Sequence, residues 1–244
     1  MKLTDAERAE NQEALARMTL VQKLGYIWEY YKFPLVLILI AAVALGSVLY
    51  YRITWRDPLL YVGYANVAVG DALNSALGEG FTRSVGADSG RTEVKTYRNL
   101  YLTQNASVQD HQYSYASRLK IMAAMTGGQL DVMLMNQEAY DIMSAGGYLL
   151  PLEGLLAQDS ALRSAIGDCL TENTVILEDN EIEHNLDERV PYRVVTETKA
   201  NAIRLTPFVL FSQAGFSGDV YLGVIGNSSR LDTVLQYIRY LTAP

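Results

Sequence analysis

Between Lys32 and Arg52 the chain carries no charged side chain, and Phe33 to Tyr51 is an unbroken uncharged run. At about 1.5 Å of rise per residue, a helix of this run reaches on the order of 28 Å, close to the ~30 Å hydrocarbon core of a bilayer. Trp28, Tyr30 and Tyr31 precede it, and Tyr50, Tyr51 and Trp55 follow it. Amphipathic rings at both headgroup levels mark a membrane span. The sequence therefore predicts a transmembrane helix over residues 33–51. A cleaved signal peptide is the rival reading, since Ala44-Leu45-Gly46 has a small-x-small form that would leave Ser47 as the mature N-terminus. The segment before the run is longer than an ordinary charged leader, and apolar residues continue past the site, so a retained anchor is expected. No Cys stands near the end of the run, which excludes a lipoprotein anchor.

Charge sets the expected orientation. Arg17, Lys23 and Lys32 lie on the N-terminal side of the span, Arg52 and Arg56 on the other. Residues 1–56 have a net charge of +2 and residues 57–244 of −9. The positive-inside bias predicts a cytoplasmic helical tail over 1–32, a stalk over 52–58 and an extracellular domain over 59–244 in a single-pass cell-membrane protein. A net charge of −9 argues against nucleic acid as a partner and against direct docking on anionic lipid. Cys169 is the only cysteine, so no intramolecular disulfide forms. An outside domain without disulfides suits a bacterial surface. His111 and His184 have no Cys nearby, so structural zinc is not expected.

The tail reads as a helix. Thr19 and Gln22 have the spacing of a capping box, and Leu20, Leu24, Ile27 and Tyr31 share one face. Pro34 predicts a kink or break near the inner headgroups. Beyond Asp57-Pro58, apolar stretches at Leu59–Val67, Thr92–Leu102 and Leu130–Met135 read as strands. Helical faces fall between and after them. Leu73, Leu77 and Phe81 form the first. Tyr115, Leu119, Met122 and Ala123 form the second, which stops at Gly127-Gly128. The third starts at Asn136 and stops at Gly146-Gly147. The order βαβαβα predicts a parallel sheet covered by helices.

The pattern then loosens: a helix near Ser160–Leu170, a strand at Thr174–Leu177, and strand-like stretches at Val190–Thr196 and Ala202–Leu205. The acidic run Glu178–Glu188 reads as a solvated hairpin or loop. Calcium held by Asp179, Glu181, Glu183 and Asp187 is the weaker reading, because the ligand spacing and Gly of an EF-hand are missing. Val220–Ile225 reads as a buried strand, and Ser229 with Asp232 as a capping signal. Leu231, Val234, Leu235, Ile238 and Leu241 line a last helix. A sheet of about five strands with Val220–Ile225 inside it is expected.

Gly127-Gly-Gln-Leu-Asp-Val-Met-Leu-Met-Asn136 and Ala145-Gly-Gly-Tyr-Leu-Leu-Pro-Leu152 resemble the two-lobed extracellular solute-binding proteins that serve ABC importers. Val220-Tyr-Leu-Gly-Val-Ile-Gly-Asn-Ser-Ser and the helix after it resemble the return of such a chain to its first lobe. The resemblance spans most of 59–156 and 219–241. It implies one solute-binding-protein-like lobe with a mostly parallel sheet that begins in the order 2-1-3. Members of that family insert a second lobe after the third strand, and Thr171 to Gly218 is too short to supply one. Tyr26–Lys32 (YIWEYYK) is also similar to a juxtamembrane stretch of small single-span proteins of Gram-positive anaerobes.

No nucleophile elbow, P-loop or GxGxxG is present, and no cofactor is called for. The chain is not expected to be an enzyme. In open α/β sheets, ligands sit beyond the carboxyl ends of strands where strand order reverses. If the order is 2-1-3, that point carries Asn66 after strand one and Asn136 and Gln137 after strand three, with Tyr101 after strand two as an aromatic wall. Asn136 is equally explained as a helix N-cap. Tyr97, Tyr101, Tyr113 and Tyr115 gather around a polar loop, as interface or core material. Two functions fit these features. One is a binding or scaffold module acting through a membrane or cell-surface partner, such as a transporter. The other is direct low-affinity capture or sensing of a small solute or peptide.

Overall fold

A computed structural model describes residues 19–105, 108–187 and 189–243. The chain divides into two compact units, residues 1–55 and 56–244.

The first unit is built on helix α1 (Leu20–Thr54), which begins directly after Thr19. The helix runs through Pro34 without ending, so the expected break is not there; Pro is tolerated in apolar helices of this kind. Lys32–Arg52 has a mean hydropathy of 2.5 and none of it is buried, so it is long and apolar enough to cross a membrane. The tail before Thr19 and the side chains of Leu20, Leu24, Ile27 and Tyr31 lie outside the described residues. Of the expected stalk, 52–54 belong to α1 and 57–58 to the first strand.

The second unit is a six-stranded sheet in the order β2-β1-β3-β6-β5-β4. Strand β1 (Asp57–Ala65) pairs in parallel with β2 (Thr92–Leu100) and with β3 (Val132–Met135), so the sheet starts in the expected order 2-1-3. The remaining strands depart from expectation. β6 (Tyr221–Val224) is antiparallel to β3 and to β5 (Val194–Arg204), and β5 is antiparallel to β4 (Leu170–Asp179). The sheet is mixed, not mostly parallel. The cause lies in the segment 170–204. It folds back on itself as one long hairpin, with the acidic run at its turn, and so extends the same sheet. Of the two expected stretches, Val194–Thr196 and Ala202–Arg204 are parts of the single strand β5, and residues 190–193 and Leu205 lie outside it.

Helices cover both faces. Alternation along β1 sends Leu60, Val62 and Tyr64 to one face, where they meet Leu77, Phe81, Val234 and Ile238. Leu77 belongs to a π turn (Ala76–Gly80) between α2 (Asp71–Ser75) and α3 (Phe81–Ser84). On the opposite face Ala65, Met133 and Met135 pack under α4 (Val108–Thr126) and α5 (Gln137–Ala145). Helices α6 (Leu152–Leu156) and α7 (Ser160–Ile166) lead into β4. A short α8 (Glu181–Leu186) sits at the hairpin turn, α9 (Val209–Ser212) follows β5, and α10 (Leu231–Leu241) closes the fold. The residue before α10 is Arg230, without a side-chain cap, so Ser229 does not play the expected role.

Helix α4 is rotated from its expected setting. Ser114, Ser117, Ile121 and Ala124 are buried, and Tyr115, Leu119 and Met122 are exposed. Small hydroxyl residues win the inner face because they satisfy backbone donors there. Ser117 Oγ accepts from Tyr101 N–H (2.9 Å) and Ser114 Oγ from Thr103 N–H (3.3 Å).

Asp131, 1 % exposed, joins the parallel half of the sheet to the antiparallel half. Its carboxylate accepts from Tyr61 N–H (2.9 Å) and Ser228 Oγ (2.7 Å) and lies 3.3 Å from Arg230 Nη1. Its backbone bonds both Tyr61 O and Ile225 N–H. Arg230 also covers the Tyr61 ring, 4.9 Å from its centroid. Removing a buried charge partner leaves donors unpaired, so Asp131→Ala is expected to cost about 3 kcal/mol or more in urea denaturation. Tyr237 is the opposite case. It is buried edge-on against Phe81, and its hydroxyl finds no hydrogen-bond partner among the described residues. Tyr237→Phe is expected to leave stability unchanged within about 1 kcal/mol or to raise it.

Burial pushes the Tyr64 phenol up to about 12 and raises those of Tyr140 and Tyr237 as well. The folded state therefore holds these protons more tightly than the unfolded chain, whose tyrosines titrate near ~10. Their contribution to stability is intact below that value and is lost as pH rises from about 10 through 12. Alkaline titration is expected to give tyrosinate absorbance from these residues only together with loss of the folded circular dichroism signal. Their ionisation within a folded domain would contradict this.

Candidate functional site

The chain leaves β1 by a sharp turn, and Asn66 makes it with φ 57°. Asn tolerates this left-handed conformation better than most residues because its short amide bonds locally. Here Asn66 Nδ2 donates to Leu102 O (2.6 Å) and Oδ1 accepts from Leu102 N–H (2.9 Å), tying the exits of β1 and β2 together. After β3, Asn136 is extended (φ −77°, ψ 178°) and its Oδ1 caps α5 through Ala139 N–H (2.9 Å). Gln137 opens that helix, and its Nε2 donates to Asp141 Oδ1 (2.7 Å).

Asn66, Asn136 and Gln137 line one open groove of about 490 Å³ at the carboxyl ends of β1 and β3. The structure thus brings three of the four sequence-derived residues together at the reversal of strand order. Tyr101 is not among them. Its backbone is bound to Ser117 of α4. The position after β2 faces the neighbouring helix because β2 is the edge strand.

The groove's other wall is the loop 214–220. Gly215 turns it with φ 71°, and Phe216 supplies a half-buried ring. Asp219 accepts from Thr206 Oγ1 (2.8 Å) and lies 4.0 Å from Arg204 Nη1. The wall exists because β6 runs antiparallel to β3, which brings the approach to β6 beside the end of β3. The Gly spacing at 215 and 218 signals a turn, but only the strand direction places it here.

Behind the groove a buried polar chain links α5 to the hairpin. The Tyr140 hydroxyl donates to Asn201 Oδ1 (2.8 Å), Asn201 Nδ2 to Ser144 Oγ (2.8 Å), and Ser144 Oγ to Thr174 O (2.9 Å). Every member is satisfied within the chain, which makes this a structural pin.

Asp179 accepts from Glu181 N–H, Asp187 is paired with Arg189 at 2.8 Å, and His184 Nδ1 lies 2.7 Å from Val190 O. Among the described residues no group of three or more His, Cys, Asp or Glu side chains gathers as metal ligands. No known protein family, curated protein or solved structure matches the chain.

The groove has room for a ligand, but its three amides already serve the fold. Asn66→Ala removes two hydrogen bonds and puts at positive φ a residue that tolerates it less well than Asn, and a loss of about 3 kcal/mol is expected. Asn66→Gly removes the bonds but keeps the turn, and is expected to recover about 1 kcal/mol of that loss. Equal midpoints for the two variants in urea would show that backbone strain plays no part.

Proposed function

We propose that this chain is a membrane-anchored binding or scaffold module. It is held by one retained span with the α/β domain outside, and it acts through a protein partner at the membrane or cell surface. The resemblance to the first lobe of solute-binding proteins supports a recognition role. The observation that carries the reading is the state of the groove. Its amides are committed to Leu102, Ala139 and Asp141, while α4 and the hairpin leave large apolar side chains outside. Small-ligand sites bury most of their ligand and offer free polar groups for orientation. An open groove buries a small ligand poorly, and the fold takes up part of the hydrogen bonding of its amides. Exposed apolar surface is what a macromolecular partner recognises.

A second reading is kept by the groove's size and its position at the reversal of strand order. On that reading the domain captures or senses a small solute or peptide weakly, with a Kd of about 0.1–1 mM, worth only ~4–5 kcal/mol.

The two readings separate in one set of measurements on the full-length protein. Protease added to intact cells is expected to remove residues beyond about Arg56 and spare the tail. The protein extracted from its membranes is expected to carry a stoichiometric protein partner. Free sugars, amino acids and short peptides are expected to shift its melting temperature little. Saturable binding of one of these with a Kd of about 0.1–1 mM would favour the second reading, and sub-micromolar binding would overturn the scaffold reading.

A further inference from the structure

Two exposed surfaces of the domain match each other. On α4 the side chains opposite the buried face are Tyr115, Leu119 and Met122, exposed at 57 %, 49 % and 52 %. They stand at i, i+4 and i+7 and form one stripe. Arg118 and Lys120 border it on either side, and no acidic residue occurs between Gln112 and Thr126. At the hairpin turn, α8 presents Ile182 and Leu186, again four apart, exposed at 77 % and 83 %. There the border is acidic, with Glu181 and Glu183 exposed and Glu178 and Asp179 just before them. One surface is an apolar stripe with basic edges. The other is an apolar ridge with acidic edges and the same helical spacing.

A single chain cannot bring the two together. Lys120 of α4 lies over Tyr97 of β2, and Ile121 and Ala124 pack beside Leu100, so α4 covers the β2 side of the sheet. The hairpin strand β4 is the opposite edge. Five strand spacings of ~4.8 Å separate those edges by about 24 Å. The hairpin also runs past β6, which pairs only with Ala202–Arg204 of β5. The stretch from Val194 to Ala200 carries the turn about 20 Å further away from the groove end of the sheet.

We propose that the occupant of the α4 stripe is the hairpin turn of a second copy of this chain. Ile182 and Leu186 of one copy seat on Leu119 and Met122 of the next, with Glu181 and Glu183 against Arg118 and Lys120. The contact joins different patches, so a pair of copies keeps one stripe and one ridge free between them, and the arrangement propagates head to tail. A six-residue helix buries little surface, so the contact is weak between free molecules. Confinement of copies to one membrane raises their effective concentration and populates it. The assignment rests on the reading of the domain as a docking module and names a second copy as one of its partners.

The test uses full-length protein in lipid vesicles, in a Cys169→Ala background. One population carries Leu119→Cys and the other, with a different epitope tag, Leu186→Cys. Both positions are exposed, so the fold is not at risk. Mild oxidation is expected to give mixed 119–186 cross-links well above those of either population alone. Ile182→Asp on the ridge or Met122→Asp on the stripe is expected to abolish them. Lys120→Glu on the stripe copy is expected to reduce them about two- to five-fold, the range of an exposed ion pair. Glu183→Lys on the ridge copy, combined with Lys120→Glu, is expected to restore them. Absence of mixed cross-links, or a majority of 119–119 or 186–186 products, overturns the proposal. In that case, a different protein still recovered with the full chain leaves the docking-module reading standing.

Discussion

The sheet depends on one buried carboxylate. Asp131 stands at the start of β3, where three strands meet, and bonds to β1 through Tyr61 and to the exit of β6 through Ile225. The parallel half contributes β2, β1 and β3, and the antiparallel half β6, β5 and β4. The halves meet at the β3–β6 pair, with four residues on each strand. So short a ladder needs a fixed register, because a slip of one residue turns every side chain to the opposite face. Asp131 fixes it with directional bonds, and Ser228 and Arg230 then orient the loop into α10. A buried charge is tolerated when every lone pair has a donor, and this one has several.

The same economy of polar groups governs the groove. Strands that end at a reversal of order leave backbone groups and loops that need partners. Asn66 and Asn136 supply them, the first by bridging two loop exits and the second by capping α5. Amides so engaged shape the walls of the groove and keep only part of their hydrogen-bonding capacity for a guest. The apolar side chains that the domain leaves outside lie elsewhere, on α4 and at the hairpin turn, and recognition is assigned there.

Much of this was legible in the sequence, for identifiable reasons. The apolar run and its aromatic flanks define α1 because length and charge alone decide membrane compatibility. The first three strands and the buried last strand follow from apolar runs and glycine punctuation, while their order 2-1-3 was implied only by the resemblance to solute-binding proteins. Asn66, Asn136 and Gln137 meet at the groove because strand order dictates which exits are neighbours. Three features were hidden. The antiparallel direction of β6 and the hairpin depends on how the chain returns, which local periodicity does not encode. Tyr101 was misplaced because an edge strand delivers its exit to the flanking helix. The face of α4 was inverted because apolar spacing at Tyr115, Leu119 and Met122 outweighed Ser114 and Ser117, whose hydroxyls bond loop backbone. Periodicity reports where apolar side chains cluster, and on α4 they cluster on the side facing solvent.

The place of β6 has a kinetic meaning. It lies between β3 and β5, yet both of its partners precede it in the chain. Until β6 is delivered, the two halves of the sheet have no common ladder, and β3 and β5 each present a bare edge. Pairing across such sequence distances is slow, because loop closure must precede the contacts that reward it. As the chain emerges from N to C terminus, the half-sheets wait with open edges for a strand made after all the others. The domain therefore becomes one cooperative body only once β6 has been made, and unpaired edges are a hazard throughout the interval before it.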